Sequence, residues 1–158
     1  LFSGFYSIIS SINGEIILAA LSILVAMILD GLDGRIARLT NTQTSFGEYY
    51  DSLSDMICFG LAPALLIYMW SLSNFSIYGS QWSKIAWIAC FIYVASAAIR
   101  LARFNSKIQT QDKKYFIGLA SPAAAAVIIC YAWMLEVSNV DIANYNWMSL
   151  LLLPLLLP

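Results

Sequence analysis

The chain has 158 residues, 61% hydrophobic and 11% charged, with a net charge of −1 and a mean hydropathy of +0.77; soluble domains carry roughly 25% charged residues, so composition excludes an ordinary soluble domain and points to a membrane protein. The near-zero net charge offers no argument for a nucleic-acid partner, and none is expected. There is no histidine, which excludes His-based zinc sites, Ser-His-Asp triads and phosphohistidine intermediates and leaves acid–base chemistry to carboxylates.

In chain order, "LFSGFYSIISSIN" reads as the tail of a spanning helix, because it lacks the basic start of a signal peptide. Hydrophobic segments follow at about 15–38, 46–72, 83–106, 118–136 and 146 to the end, each near the roughly 20 residues that cross a hydrocarbon core. Leu1 in place of Met, and a last stretch "WMSLLLLPLLLP" that stops inside an apolar run, read as cut ends. The expected fold is therefore all-α, a polytopic integral membrane protein with six transmembrane helices. No internal repeat or linker breaks the chain, so residues 1–158 are read as one domain. Trp70, Trp82, Trp133 and Trp147 are placed as interfacial aromatics beside polar connections. Cys58, Cys90 and Cys130 stand singly in apolar runs and read as small apolar fillers.

Basic residues orient the bundle. Arg35, Arg38, Arg100, Arg103, Lys107, Lys113 and Lys114 fall on one side and only Lys84 on the other, so the first side is expected to be cytoplasmic. Glu15, Glu136 and Asp141 are then extracytoplasmic.

The stretch "MILDGLDGRIARLTNTQTSFGEYYDSLSDMICFG" crowds five carboxylates into this apolar chain, at the cytoplasmic boundary. Asp30 and Asp33 stand three apart near the end of one helix, with Gly34, Ala37 and Arg38 continuing the same face. After "LTNTQTSF" the next helix opens with Gly47, and Asp51, Ser54 and Asp55 follow at helical spacing. Two acidic faces joined by a short loop must oppose each other, and such a cluster needs cations. Hard divalent ions such as Mg²⁺, Mn²⁺ or Ca²⁺ suit all-oxygen ligands, and two ions about 4 Å apart would fit four aspartates. Gly34, Ala37 and Gly47 leave a groove where a bulky ligand can approach the backbone, and Arg38 points to a phosphate or pyrophosphate. Simple pairing with Arg35 and Arg38 is the plainer alternative, but two arginines cannot neutralise four aspartates and Glu48. Glu48 itself lies off the acidic face.

Written as spacing, Asp30-x2-Asp33-Gly34-x2-Ala37-Arg38-x8-Gly47-x3-Asp51-x3-Asp55 resembles the signature of the CDP-alcohol phosphotransferase family at every fixed position. "RLARFN" and "YFIGLASPAAAA" extend the resemblance to that family's phosphatidylserine synthase branch, from Leu1 to about Val127; Ala120 departs where that branch often has proline. The resemblance implies a six-helix membrane enzyme, usually a homodimer. It would displace CMP from CDP-diacylglycerol with the hydroxyl of L-serine, in the plasma membrane of a prokaryote and with its site facing the cytoplasm. Carried over by position, Asp30, Asp33, Asp51 and Asp55 would be ligands to two metal ions, and Asp55 also the general base. Asp33, Gly34, Ala37, Arg38, Thr44, Gly47, Asp51 and Ser54 would line the CDP site. With no histidine available, direct in-line displacement without a covalent enzyme intermediate is expected.

A zwitterionic acceptor needs a cation for its carboxylate. Arg100 and Arg103 are the first candidates, with Asn105, Lys114 and Ser121 in the same region. Ser121 also suits a helix N-cap before Pro122, and the run Ala123–Ala126 suits close helix packing. Glycerol 3-phosphate or an inositol phosphate are the alternative acceptors, but each would need a denser basic pocket. A membrane cation transporter could also face aspartates across helices, yet it would need a path across the bilayer, and all these acids lie near one face.

Overall fold

The computed structural model describes residues 1–40, 44–70, 80–107 and 121–138, all of them helical or in short turns. In chain order these are α1 (Phe2–Ile12), α2 (Ile16–Thr40), α3 (Ser45–Asp55), a π-helical segment (Met56–Leu61), α4 (Ala62–Trp70), α5 (Ser80–Lys107) and α6 (Ser121–Val137). Among the described residues three stretches are long and apolar enough to cross a membrane: Ile16–Ile36, Tyr49–Trp70 and Lys84–Arg103. The expected last span, from 146 onward, lies outside the described residues, as do residues 118–120 of the one before it.

The turn between α1 and α2 follows from "NGE". Gly14 takes φ +80°, open to glycine without steric cost. Its N–H donates to the Ser11 carbonyl at 3.2 Å while that of Glu15 reaches the Ser10 carbonyl at 2.9 Å, so two carbonyls of the last turn of α1 are satisfied. The chain reverses at once, and α1 lies along α2.

That contact is made by small and hydroxylated side chains. Gly4, Ser7, Ser10 and Ser11 of α1 are buried, as are Ala19, Ala20 and Ile23 of α2, and the two helices pack together. The Ser7 hydroxyl donates across to the Ala19 carbonyl at 2.9 Å, and that of Ser3 to the Ser22 carbonyl. In a medium without water a hydroxyl must find such a partner, and small residues let the backbones come close enough to supply it. Gly4 also crosses over the π segment: a Cβ there would lie 2.5 Å from Cys58 Sγ and 3.0 Å from Cys58 Cα.

Residues 45–70 form one rod with a defect in its middle, and Pro63 accounts for it. Proline has no N–H to donate to the carbonyl four residues back, and its ring crowds that same carbonyl, here Phe59. The helix widens just before it, so that the Ala62 N–H reaches back five residues to Ile57. The Phe59 carbonyl accepts a hydrogen bond at 2.9 Å from the buried Tyr93 hydroxyl of α5. Gly60 faces the same helix, with Ala97 Cβ 3.5 Å from where its own Cβ would stand.

Phe59, Ile23, Leu66, Ile67, Ile128 and Ile129 are the largest fully buried apolar side chains, contributed by α2, the π segment, α4 and α6. Trp70, expected as an interfacial ring, is instead buried, and its indole N–H donates to the Glu136 carboxylate at 2.7 Å. An indole at the end of α4 that meets a carboxylate at the end of α6 gains more from a charge-assisted bond than from headgroup contact. The three cysteines are free thiols; Cys58 and Cys90 are buried fillers as expected, while Cys130 is exposed.

Candidate active site

Asp30 comes from α2, and Asp51 and Asp55 from α3. One carboxylate oxygen from each lies within 4.8 Å of those of the other two. The four-residue spacing puts Asp51 and Asp55 on one face, one turn apart, and the short connection from α2 brings that face opposite Asp30. Asp30 and Asp55 are half-buried and Asp51 is exposed. Asp33 lies outside this group on the exposed side of α2, though close enough for its charge to act on Asp51. The side-chain charges that act most on Asp51 and Asp55 are those of other aspartates, not of a basic partner.

Like-charged oxygens so close repel: two unit charges about 5 Å apart at an effective dielectric of about 20 oppose each other by about 3 kcal/mol. Such a cluster of hard oxygen donors fits a hard divalent cation, which Asp30, Asp51 and Asp55 would hold and which would remove their mutual repulsion.

Around the carboxylates, Thr44 begins α3. Its side-chain oxygen accepts from the Gly47 N–H at 3.1 Å, an N-cap, so the helix starts two residues earlier than the Gly47 expected from sequence. Gly34 and Ser54 are partly exposed on the two facing helices. Ala37 and Arg38 lie on α2, but their side chains, like that of Glu48, are outside the described set.

Among the acceptor candidates, Arg100 of α5 is half-buried and donates from Nη2 to the hydroxyl of Ser121 at the start of α6. The structure thus brings two predicted residues together and gives the Ser121 hydroxyl a guanidinium to accept from. Arg103 is exposed on α5. Lys114 lies outside the described residues. Asn105 turns its amide to α3: its Nδ2 donates to Ser52 Oγ at 3.0 Å, and the Ser52 hydroxyl stands 3.3 Å from its Oδ1. Ser52 and Tyr93 went unnoticed in the sequence. Tyr93 stands in an apolar run and Ser52 among the polar residues of α3, and only the neighbouring helix shows what each meets.

The sequence profile of the CDP-alcohol phosphatidyltransferase family matches residues 1–156. Curated relatives include a CDP-diacylglycerol–serine O-phosphatidyltransferase of Helicobacter pylori, 41% identical over 129 residues that make up 82% of this chain and 52% of that one. Proteins of the same name from Methanocaldococcus jannaschii (35% over 137 residues; 85% of this chain, 61% of that one) and Saccharomyces cerevisiae (36% over 146 residues; 84% and 50%) are also similar. The chain spans about half the length of the first of these. No solved structure matches it.

Proposed function

The chain belongs to the CDP-alcohol phosphatidyltransferase family, and from that premise we propose that it transfers a phosphatidyl group from CDP-diacylglycerol to the hydroxyl of L-serine, releasing CMP and forming phosphatidylserine. The observation that carries this reading is the meeting of Asp30, Asp51 and Asp55 within 4.8 Å, on the residues where the family signature places its carboxylates. Serine as acceptor is supported by the names of the relatives.

In this reading Asp30, Asp51 and Asp55 hold divalent metal, Mg²⁺ or Mn²⁺ before Ca²⁺, with Asp33 completing the ligand set for a second ion. When bound, such ions neutralise charge on the pyrophosphate and stabilise CMP as it leaves. Arg38 binds a pyrophosphate oxygen, while Asp33, Gly34, Ala37, Thr44, Gly47, Asp51 and Ser54 line the CDP pocket. Arg100, held by Ser121, receives the serine carboxylate, with Arg103 and Lys114 nearby. An Asp55 carboxylate oxygen takes the proton from the serine hydroxyl as that oxygen forms its bond to the lipid-linked phosphorus and the phosphorus–oxygen bond to CMP breaks. Displacement is direct, without a covalent enzyme intermediate. Residues 1–158 act as one transmembrane domain of a six-span homodimer in a prokaryotic plasma membrane, with this site at the cytoplasmic side, where seven of the eight basic residues fall.

The test is CMP release by the purified full chain given CDP-diacylglycerol and Mn²⁺ or Mg²⁺, with serine, inositol, inositol phosphate and glycerol 3-phosphate offered separately. CMP release that depends on both metal and serine is expected. Release with glycerol 3-phosphate or inositol phosphate alone would replace the acceptor, and release with none of them would sink the reading.

A further inference from the structure

Helix α3 carries two of the three clustered carboxylates, yet little apolar packing holds it in rotation. Its large side chains Phe46, Tyr49, Tyr50 and Leu53 are 77%, 63%, 51% and 66% exposed. A helix turns about 100° per residue, so a small slip about its axis would carry Asp51 and Asp55 off Asp30. An amphipathic helix is normally fixed by its buried face; α3 has little of one and takes its setting from the buried π segment and α4 that continue it and from polar contacts along it.

Two polar contacts from α5 bracket Asp55. Three residues before it, Ser52 meets the Asn105 amide at 3.0 Å. Four residues after it, the Phe59 carbonyl, which Pro63 deprives of its ordinary helical donor, accepts the Tyr93 hydroxyl at 2.9 Å. Both ends of this second contact are buried. The buried Tyr93–Phe59 bond has no water to exchange with, so it holds position, and the Ser52–Asn105 contact adds a second tether nearer the site.

The geometry points to Asn105 and Tyr93 as positioning residues: from α5 they set the rotation and depth of Asp51 and Asp55 so that these face Asp30. Asn105 then acts through Ser52 on the carboxylates, not on the acceptor. What the carboxylates hold rests on the divalent-metal reading above.

The test uses the purified full chain in detergent, with Mn²⁺ binding read by electron paramagnetic resonance alongside CMP release. Asn105→Ala and Tyr93→Phe should each weaken Mn²⁺ binding by about 10–100-fold, the usual effect of losing a group that orients a ligand. The KM for serine should stay within about twofold. Ser52→Thr, which keeps the hydroxyl, should bind Mn²⁺ like wild type, and the Ser52→Ala/Asn105→Ala double variant should be no worse than Asn105→Ala. Unchanged Mn²⁺ affinity with a lowered melting temperature would overturn the inference in favour of plain packing. A rise in serine KM alone for Asn105→Ala would overturn it in favour of acceptor binding. If the wild-type chain binds no Mn²⁺, the metal reading fails and this inference with it; wild-type binding that neither variant disturbs sinks the inference alone.

Discussion

Asp51 is held among charges of its own sign, and that decides what its loss should do. A carboxylate kept for the fold is normally paired, so its removal costs stability. One kept for a ligand sits against repulsion until the ligand arrives. In the presence of EDTA, Asp51→Asn should therefore melt at the wild-type temperature or higher. Solvent at this exposed position screens the repulsion to on the order of 1 kcal/mol, which corresponds to a rise of about 2–4 °C for a chain of this size. With Mn²⁺ supplied, the same variant should lose CMP release by at least about 100-fold, beyond what the loss of an orienting neighbour costs. A clear fall in melting temperature in EDTA would mark Asp51 as a partner in the fold instead. The residue spacing made Asp30, Asp51 and Asp55 legible because helical periodicity alone places them on facing surfaces. It could not show that Asp33, one turn along the same face, stands outside their 4.8 Å group, since that depends on where α3 crosses α2.

At the scale of the element, the crossing of α1 over the π segment depends on one missing side chain. A Cβ on Gly4 meets Cys58 Sγ at 2.5 Å and also backbone, Cys58 Cα, at 3.0 Å. Gly4→Ala should therefore destabilise the protein by about 1–3 kcal/mol, as overpacking does in a dense interior, read as a lower melting temperature in detergent. Adding Cys58→Ala should recover only part of the loss, because the Cα remains in place. Full recovery would mean that the sulfur alone makes the clash. The spans around residues 16–36 and 84–103 were readable from apolar length. The widened turn at Met56–Leu61 was not. Pro63 announces a defect in the sequence, but not that Tyr93 of another helix offers a hydroxyl to the freed carbonyl.

For the whole molecule, the described polar site contacts gather toward one end of the bundle and the Trp70–Glu136 clasp joins the other ends of α4 and α6. In the orientation proposed from the basic residues, the first end faces the cytoplasm. In a background where Cys58, Cys90 and Cys130 are replaced by Ala, Leu39→Cys, 83% exposed near the end of α2, should react with a membrane-impermeant maleimide only in inverted vesicles. Val137→Cys, exposed at the far end of α6, should react only in right-side-out vesicles. The opposite pattern would reverse the proposed orientation.

Local rules were enough for the three apolar spans found among the described residues, for the acidic faces with their glycines, and for the family resemblance, because each depends on residues close together in the chain. The partners of Trp70, Tyr93, Arg100 and Asn105 lie at sequence separations from 21 to 66 residues. No periodicity reaches that far. A polar group in an apolar bundle must bond to whatever the neighbouring helix presents, and only the packing of the helices decides which group that is. The carboxylates were written in the sequence; that Asn105 and Tyr93 of α5 meet Ser52 and Phe59 beside them was decided by the packing of the helices.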